Sequence, residues 1–190
     1  MVTKKIAILF SGSGSNLEKI LEKVHNKKFR TCKIEVVCLI CNKKDAFGIQ
    51  RAKKYGLDTL VIEHQDFPNR EEFDKELVRI IKQSGAELSV LAGFMRILTP
   101  FFTQNIKAIN LHPSLLPLFK GAHAIKESYD SSMKIGGITV HYVNEELDGG
   151  QIIAQECFQK STMSFKEFEE KIHSLEHELL PKTIIDILDN

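Results

Sequence analysis

The sequence has no surplus of charge of either sign. Its 190 residues carry 26 Lys and Arg against 25 Asp and Glu, a formal net charge of +1. No bulk field therefore recruits nucleic acid or an anionic membrane. Long apolar runs are also missing, and none approaches the roughly 20 residues that span a bilayer. Cysteine is scarce: Cys32, Cys38, Cys41 and Cys157 are the only four. Cys38 and Cys41 form a C-x-x-C, but no second C-x-x-C or C-x-x-H completes a zinc pattern. Their odd spacing on a strand puts them on opposite faces. They read as buried, reduced thiols of a cytoplasmic protein, with a metal or redox pair as the alternative. The opening "MVTKKIAILF" lacks a small-residue cleavage site and runs straight into glycines, so it reads as a first strand and not a signal peptide. With no internal repeat, low-complexity segment or linker, residues 1–190 are expected to form one domain.

What is present is an alternation of strand and helix patterns. "KKIAILFS", "KIEVVCLICN", "DTLVIE", "ELSVLAG" and "AINLH" read as strands, the first being mostly apolar as befits a strand covered on both faces. "SNLEKILEKVHN", "DAFGIQRAKKYG", "NREEFDKELVRIIKQSG" and "PFFTQN" read as helices between them, with Gly56 and Gly85 as stops and Pro100 in a tolerated first turn. This order predicts an α/β fold, a doubly wound and mostly parallel sheet with right-handed crossovers. The second half changes style. "GGITVHYVNEELDGGQIIAQECFQK" reads as an antiparallel pair. A last amphipathic helix, "SFKEFEEKIHSLEHELLPKTIIDILDN", is expected to break or kink at Pro181.

Ligands of open parallel sheets bind beyond the carboxyl ends of the strands. At the first such end stands Ser11-Gly12-Ser13-Gly14-Ser15-Asn16. Glycines let the backbone turn tightly, and the amides of a helix start can hold an anion. The loop reads as a phosphate cradle or as an ordinary turn with Ser or Asn capping the helix. A dinucleotide fingerprint would need a third glycine where Leu17 stands, and a P-loop would need Gly-Lys-Ser/Thr. A monophosphate suits the loop better than NAD or ATP.

At the fifth strand's end, Asn110 and His112 are two residues apart and share a face. Pro113 then stops the strand, and residues 113–133 are expected to form a mobile flap. Asp148 precedes a glycine pair in "NEELDGG". An amide donor, an imidazole and a carboxylate suit acyl transfer. The amide donates to an oxygen that becomes negative, the imidazole moves a proton, and the carboxylate orients the imidazole and favours its charged form. No serine or cysteine stands in a nucleophile elbow, so direct transfer to an amine fits better than a covalent enzyme intermediate. On these residues alone, a satisfied structural histidine and a catalytic one are about evenly balanced.

"SGSGSNL", "NKKDAFGIQRAKKYGL", "LAGFMRIL", "NLHPSLLP", "HYVNEELDGG" and "EHELLP" occur in that order across nearly the whole chain. In this the sequence resembles the phosphoribosylglycinamide formyltransferases, folate-dependent enzymes of purine synthesis. The resemblance implies transfer of a formyl group from 10-formyltetrahydrofolate, as co-substrate, to the amine of phosphoribosylglycinamide, with no metal. It implies a phosphate-binding half from about residue 1 to about 100, a folate-binding and catalytic half from about 101 to about 190, and Asn110, His112 and Asp148 as the catalytic trio. Ser13, Gly14, Ser15 and Asn16 would hold the ribose phosphate, and His173 and Glu176 would meet the glycinamide substrate. Arg70, Met95, Arg96, Ile97, Leu98, Asn110, Asn144, Glu145, Glu146, Leu147 and Asp148 would meet the folate. Small molecules are the implied partners, without nucleic acid or membrane, in a cytoplasmic monomer or weak homodimer. The chain departs from the pattern at His173, where some members carry Gln, and at Lys120, where others carry Pro. Related formyltransferases that act on tRNA or hydrolyse the folate are expected to carry further domains, for which this chain leaves no room.

Overall fold

The computed structural model describes residues 1–190. β1 (Val2–Phe10) leads through α1 (Ser15–Lys23) and a short β2 (Lys27–Lys28) to β3 (Cys32–Cys41), α2 (Phe47–Lys54) and β4 (Leu60–Val61). After a 3-10 turn (His64–Asp66) come α3 (Arg70–Ser84), β5 (Leu88–Leu91), α4 (Pro100–Asn105), β6 (Ala108–His112), α5 (Ala124–Asp130), β7 (Ile135–Tyr142), β8 (Ile152–Gln159) and α6 (Phe165–Leu188). All strands join one sheet in the order β2-β3-β1-β5-β6-β7-β8, with β4 also beside β3. Pairing is parallel from β3 through β1 and β5 to β6, and antiparallel from β6 through β7 to β8. The doubly wound, mostly parallel sheet and its antiparallel extension are both present.

The alternation of side chains along each strand divides the core in two. Ile6, Ile8 and Phe10 of β1 point to the face covered by α1 and α6, where Leu17, Ile20, Phe168 and Ile172 pack. Ala7 and Leu9 point to the other face, against Phe73, Leu77 and Ile81 of α3 and Phe102 of α4. A register shift opposite Ile6/Ala7, at Val37, changes the parity of β3. Cys38 consequently faces α3 while Cys41 faces α1. All four cysteines are free, and burial pushes the Cys38 and Cys41 thiols up, away from the reactive thiolate.

Some local expectations change. α1 is capped by Gly14 in the left-handed region, with no side-chain cap from Ser or Asn. The third expected strand shrinks to Leu60–Val61, exposed beside the end of β3. Residues 113–133 are not all loop, because Ala124–Asp130 is helical. Its last carbonyls are held from outside: Lys160 Nζ donates to the oxygens of Ser128, Tyr129 and Ser131 at 3.0, 2.5 and 2.8 Å. α6 runs unbroken through Pro181. Proline lacks the N–H that would reach the His177 carbonyl, and Lys23 Nζ of α1 donates to that carbonyl at 3.3 Å.

Candidate active site

β1, β5 and β6 lie side by side, so their carboxyl ends open into one crevice. The chain passes from β1 to β3 on one side and later returns to β5 on the other, which makes this crevice a topological switch point. Hydrogen bonds join the strand ends: Ser11 N–H donates to Gly93 O at 3.0 Å, and Met95 N–H to Ser11 Oγ at 2.8 Å. The loop that follows β1 is thereby tied to the loop that follows β5.

Asn110 and His112 share the face of Ala108 on β6, and the antiparallel register sets Asn110 opposite His141 of β7. Asp148 comes back over both. It has φ 49°, uncommon for a side-chain-bearing residue, in a turn closed by Gly149 N–H to Glu146 O at 3.1 Å. Gly150 then lies so close to the Tyr142 carbonyl that a Cβ would overlap it. The glycine pair is thus what lets Asp148 return to the strand ends. Asp148 Oδ2 sits 3.4 Å from His112 Nδ1 and accepts the Gly121 N–H at 2.9 Å. Its Oδ1 sits 3.5 Å from Asn110 Nδ2 and 3.7 Å from His141 Nε2. Burial pushes the Asp148 carboxyl up. The nearby His141 ring, the bond from the Gly121 amide and the field of His112 outweigh that, and the net direction is below the ordinary carboxylate value.

The His112 ring is 4% exposed. Its Nε2 lies 2.8 Å from the Phe119 carbonyl and its Nδ1 faces the Asp148 carboxylate. Both neighbours are acceptors, so only the imidazolium donates to both at once. Asn110 keeps its amide at the mouth of the same group. Asn110 Nδ2–H, and His112 Nε2–H once it leaves the Phe119 carbonyl, can donate to an oxygen that gains charge, and one proton can pass between ring and carboxylate.

A cavity of about 370 Å³ opens over this trio. Gly93–Leu98 line one wall and Val143–Asp148 the other, with Asn110, His112, Gly121 and His141 at the floor. Met95, Ile97 and Leu147 are 69%, 54% and 50% exposed around it, an apolar rim that suits a flat, partly apolar ligand. Arg70 is not in this wall. It stands exposed at the start of α3.

At the other end of the crevice, Asn16, His173 and Glu176 converge from α1 and α6. Asn16 Nδ2 donates to Glu176 Oε2 at 3.1 Å, and His173 Nδ1 lies 3.0 Å from the same oxygen. The bond to Glu176 raises His173 above the ordinary imidazole value, against burial, which lowers it. Asn16 Oδ1 is buried without a partner. Gly14 has φ 72° and packs on the backbone of Gly48, where a side chain on either glycine would not fit. A polar hollow of about 480 Å³ lies between Ser11–Ser13 and Lys43–Phe47.

The sequence pattern of the formyl transferase family, "Formyl transferase", matches residues 4–184. The chain belongs to this family. Among solved formyltransferases, the phosphoribosylglycinamide formyltransferase of Campylobacter jejuni subsp. jejuni NCTC 11168 is 67% identical, with TM-score 0.97 and 98% of both chains covered. The enzyme of that name from Bacillus halodurans is 33% identical, with TM-score 0.88 over 97% of this chain and 95% of that one. A trifunctional purine biosynthetic protein adenosine-3 from Drosophila pseudoobscura pseudoobscura is 39% identical over 184 residues, 95% of this chain. The chain spans only 13% of the length of that relative. As a formyltransferase it is an enzyme, and its mostly parallel sheet with flanking helices matches the fold of these neighbours. No helix is long and apolar enough to cross a membrane.

Sequence reasoning missed His141 and Gly121. His141 looked like one more position of an alternating strand. Only the register of β6 against β7 reveals it beside Asn110. Gly121 contributes a backbone amide, for which sequence carries no signal.

Proposed function

We propose that the chain transfers the formyl group of 10-formyltetrahydrofolate to the amine of 5'-phosphoribosylglycinamide, a step of purine synthesis. The observation that carries this reading is the convergence of Asn110, His112 and Asp148 at the floor of a cleft joined to the glycine loop. Met95, Arg96, Ile97 and Leu98 and the facing Asn144–Asp148 would hold the folate, whose formyl carbon would then lie over the trio. Arg70 would meet only the outer tail of the folate. Ser13–Asn16 would take the phosphate, and His173 and Glu176 the glycinamide ribose.

The amine nitrogen attacks the formyl carbon, and the carbonyl oxygen takes the electron pair. Asn110 Nδ2–H and the His112 imidazolium, whose Nε2–H leaves the Phe119 carbonyl as the substrate seats, donate to that oxygen. Asp148 balances the charge of His112 and accepts, through water, the proton that the amine gives up. The C–O π bond then reforms, the bond from carbon to the folate nitrogen breaks, and that nitrogen takes the proton back from Asp148 through water. Holding both substrates in one crevice supplies several kcal/mol of the barrier reduction. We further place the chain in the cytoplasm as a monomer or weak homodimer.

The test is to follow deformylation of 10-formyltetrahydrofolate with and without glycinamide ribonucleotide. Amine-dependent turnover is expected, and amine-independent turnover would mean a hydrolase. His112→Ala and Asp148→Asn should each lower kcat by about 10²–10⁴ while the fold is kept. Near-normal transfer by Asp148→Asn would remove the carboxylate from the mechanism.

A further inference from the structure

The glycine loop carries a brace that the transfer chemistry does not use. Arg51 of α2 donates Nε–H to the Ser13 carbonyl at 2.9 Å. One terminal nitrogen binds Glu18 Oε2 of α1, and the guanidinium lies 5.1 Å from the Phe47 ring centroid. The Arg51 and Glu18 side chains are only 23% and 24% exposed. A planar guanidinium held by a carbonyl, a carboxylate and an aromatic face has little freedom to turn.

The carbonyl that Arg51 grips belongs to the Ser13–Gly14 peptide. In a planar trans peptide the C=O and N–H point in opposite directions. Holding the Ser13 oxygen toward α2 therefore turns the Gly14 N–H away from α2. No acceptor in the chain takes that N–H. Gly14 also rests on Gly48 of α2, and Gly48 N–H donates to Gly12 O at 3.1 Å. The loop is thus registered on α2 at several points, and Arg51 sets the one that aims an amide.

We infer that Arg51 is a positioning residue for the substrate phosphate, acting through the Ser13–Gly14 peptide without touching the phosphate, so that it selects phosphorylated over unphosphorylated amines. This rests on the phosphate-loop reading above. Glu18 already balances the charge of Arg51, so the effect is one of orientation and not of field. A lysine ammonium at this position keeps the charge but cannot serve Ser13, Glu18 and Phe47 together.

The experiment compares wild type, Arg51→Met and Arg51→Lys with glycinamide ribonucleotide and with its dephosphorylated riboside. With the ribonucleotide, both variants should raise the amine KM about tenfold and lower kcat less than about threefold. With the riboside, kcat/KM should change less than about twofold, as should the folate KM. Inhibition by inorganic phosphate should weaken by the same factor as ribonucleotide binding. Equal losses with both amines would overturn the inference in favour of a merely structural brace, and full rescue by Arg51→Lys would overturn it in favour of a charge effect. Wild type that transfers no formyl group would instead fail the functional reading. If the Arg51 variants do not fold, Glu18→Gln serves: it leaves Arg51 on Ser13 but loosens it, and should raise the ribonucleotide KM about threefold with no change for the riboside. An unchanged ribonucleotide KM there would overturn the inference as well.

Discussion

His173 shows how a neighbour decides what one side chain contributes. A glutamine there would offer Glu176 a hydrogen bond without a charge. The imidazole offers both, and its bond to Glu176 raises it above the ordinary 6.5. The sign follows from linkage: the folded form holds the proton more tightly than the unfolded chain. The stability this pair adds is therefore complete below pH 6.5 and is lost as pH rises through the raised folded value. Urea midpoints measured from about pH 6 to about pH 9 should fall on the alkaline side in wild type and flatten in His173→Gln. Parallel curves would show that the pair adds nothing. Asn110 and His112 were legible in the sequence because spacing on a strand determines a shared face. Asp148, expected beside His112, lies 3.4 Å from its Nδ1, but the other partner, the Phe119 carbonyl 7 residues along the chain, was not legible, because a backbone carbonyl leaves no residue signature.

Elements were most readable where one local rule settles them and least where a distant group does. α3 follows its pattern: Asn69 Oδ1 accepts the Glu72 N–H at 2.9 Å, and Gly85 ends it in the left-handed region. α5 has only seven residues, with Ala124 and Ser128 buried. Lys160, at the far end of β8, holds its C-terminus. Lys160→Met should strip those carbonyls of their donor and lower amide-exchange protection over residues 124–131 by about tenfold. Unchanged protection would mean that the helix stands without the lysine. β7 illustrates packing between elements. Gly136 lies under the Phe168 ring of α6, and a Cβ there would overlap the ring. Phe168 is fully buried among Tyr129 and Phe158, so it cannot swing aside. Gly136→Ala should cost about 1–3 kcal/mol. Phe168→Leu in the same chain should return part of that loss, a non-additivity expected of groups in contact. Additive losses would show that the ring is not what Gly136 makes room for.

Two ties between distant parts of the molecule depend on groups that must stay unprotonated, and this shapes how it meets acid. His25 Nδ1 accepts the Val36 N–H at 3.0 Å, which fixes the turn between α1 and β3. Only a ring without a proton on Nδ1 can do so, and burial lowers His25 below the ordinary 6.5. At the other end of the chain, Asp189 accepts from the Thr31 hydroxyl and from the amides of Arg30, Thr31 and Cys32, tying the end of α6 to the start of β3. The Thr31 hydroxyl bond first, then the backbone amides, lower its carboxyl from 3.8 to about 2. In both cases the unfolded chain takes up the proton first, so stability falls with pH. The His25 contribution is complete above pH 6.5 and drains away below it. The Asp189 contribution is complete above pH 3.8 and is lost as pH falls through about 2. The acid limb of the stability curve should therefore carry both contributions, each joined by a group shifted the same way: burial lowers His177 as it does His25, and Asp148 lies below the ordinary carboxylate value as Asp189 does. His25→Gln keeps an acceptor for Val36 but cannot titrate, so the loss below pH 6.5 should shrink to the share of His177 while the loss at lower pH remains. Asp189→Asn should shrink the loss at the lower pH and lower stability already at neutral pH. Urea midpoints of the three proteins from about pH 7.5 to about pH 2.5 measure both. If wild type and His25→Gln lose stability in parallel from pH 6.5 downward, the bond to Val36 is not what acid breaks first.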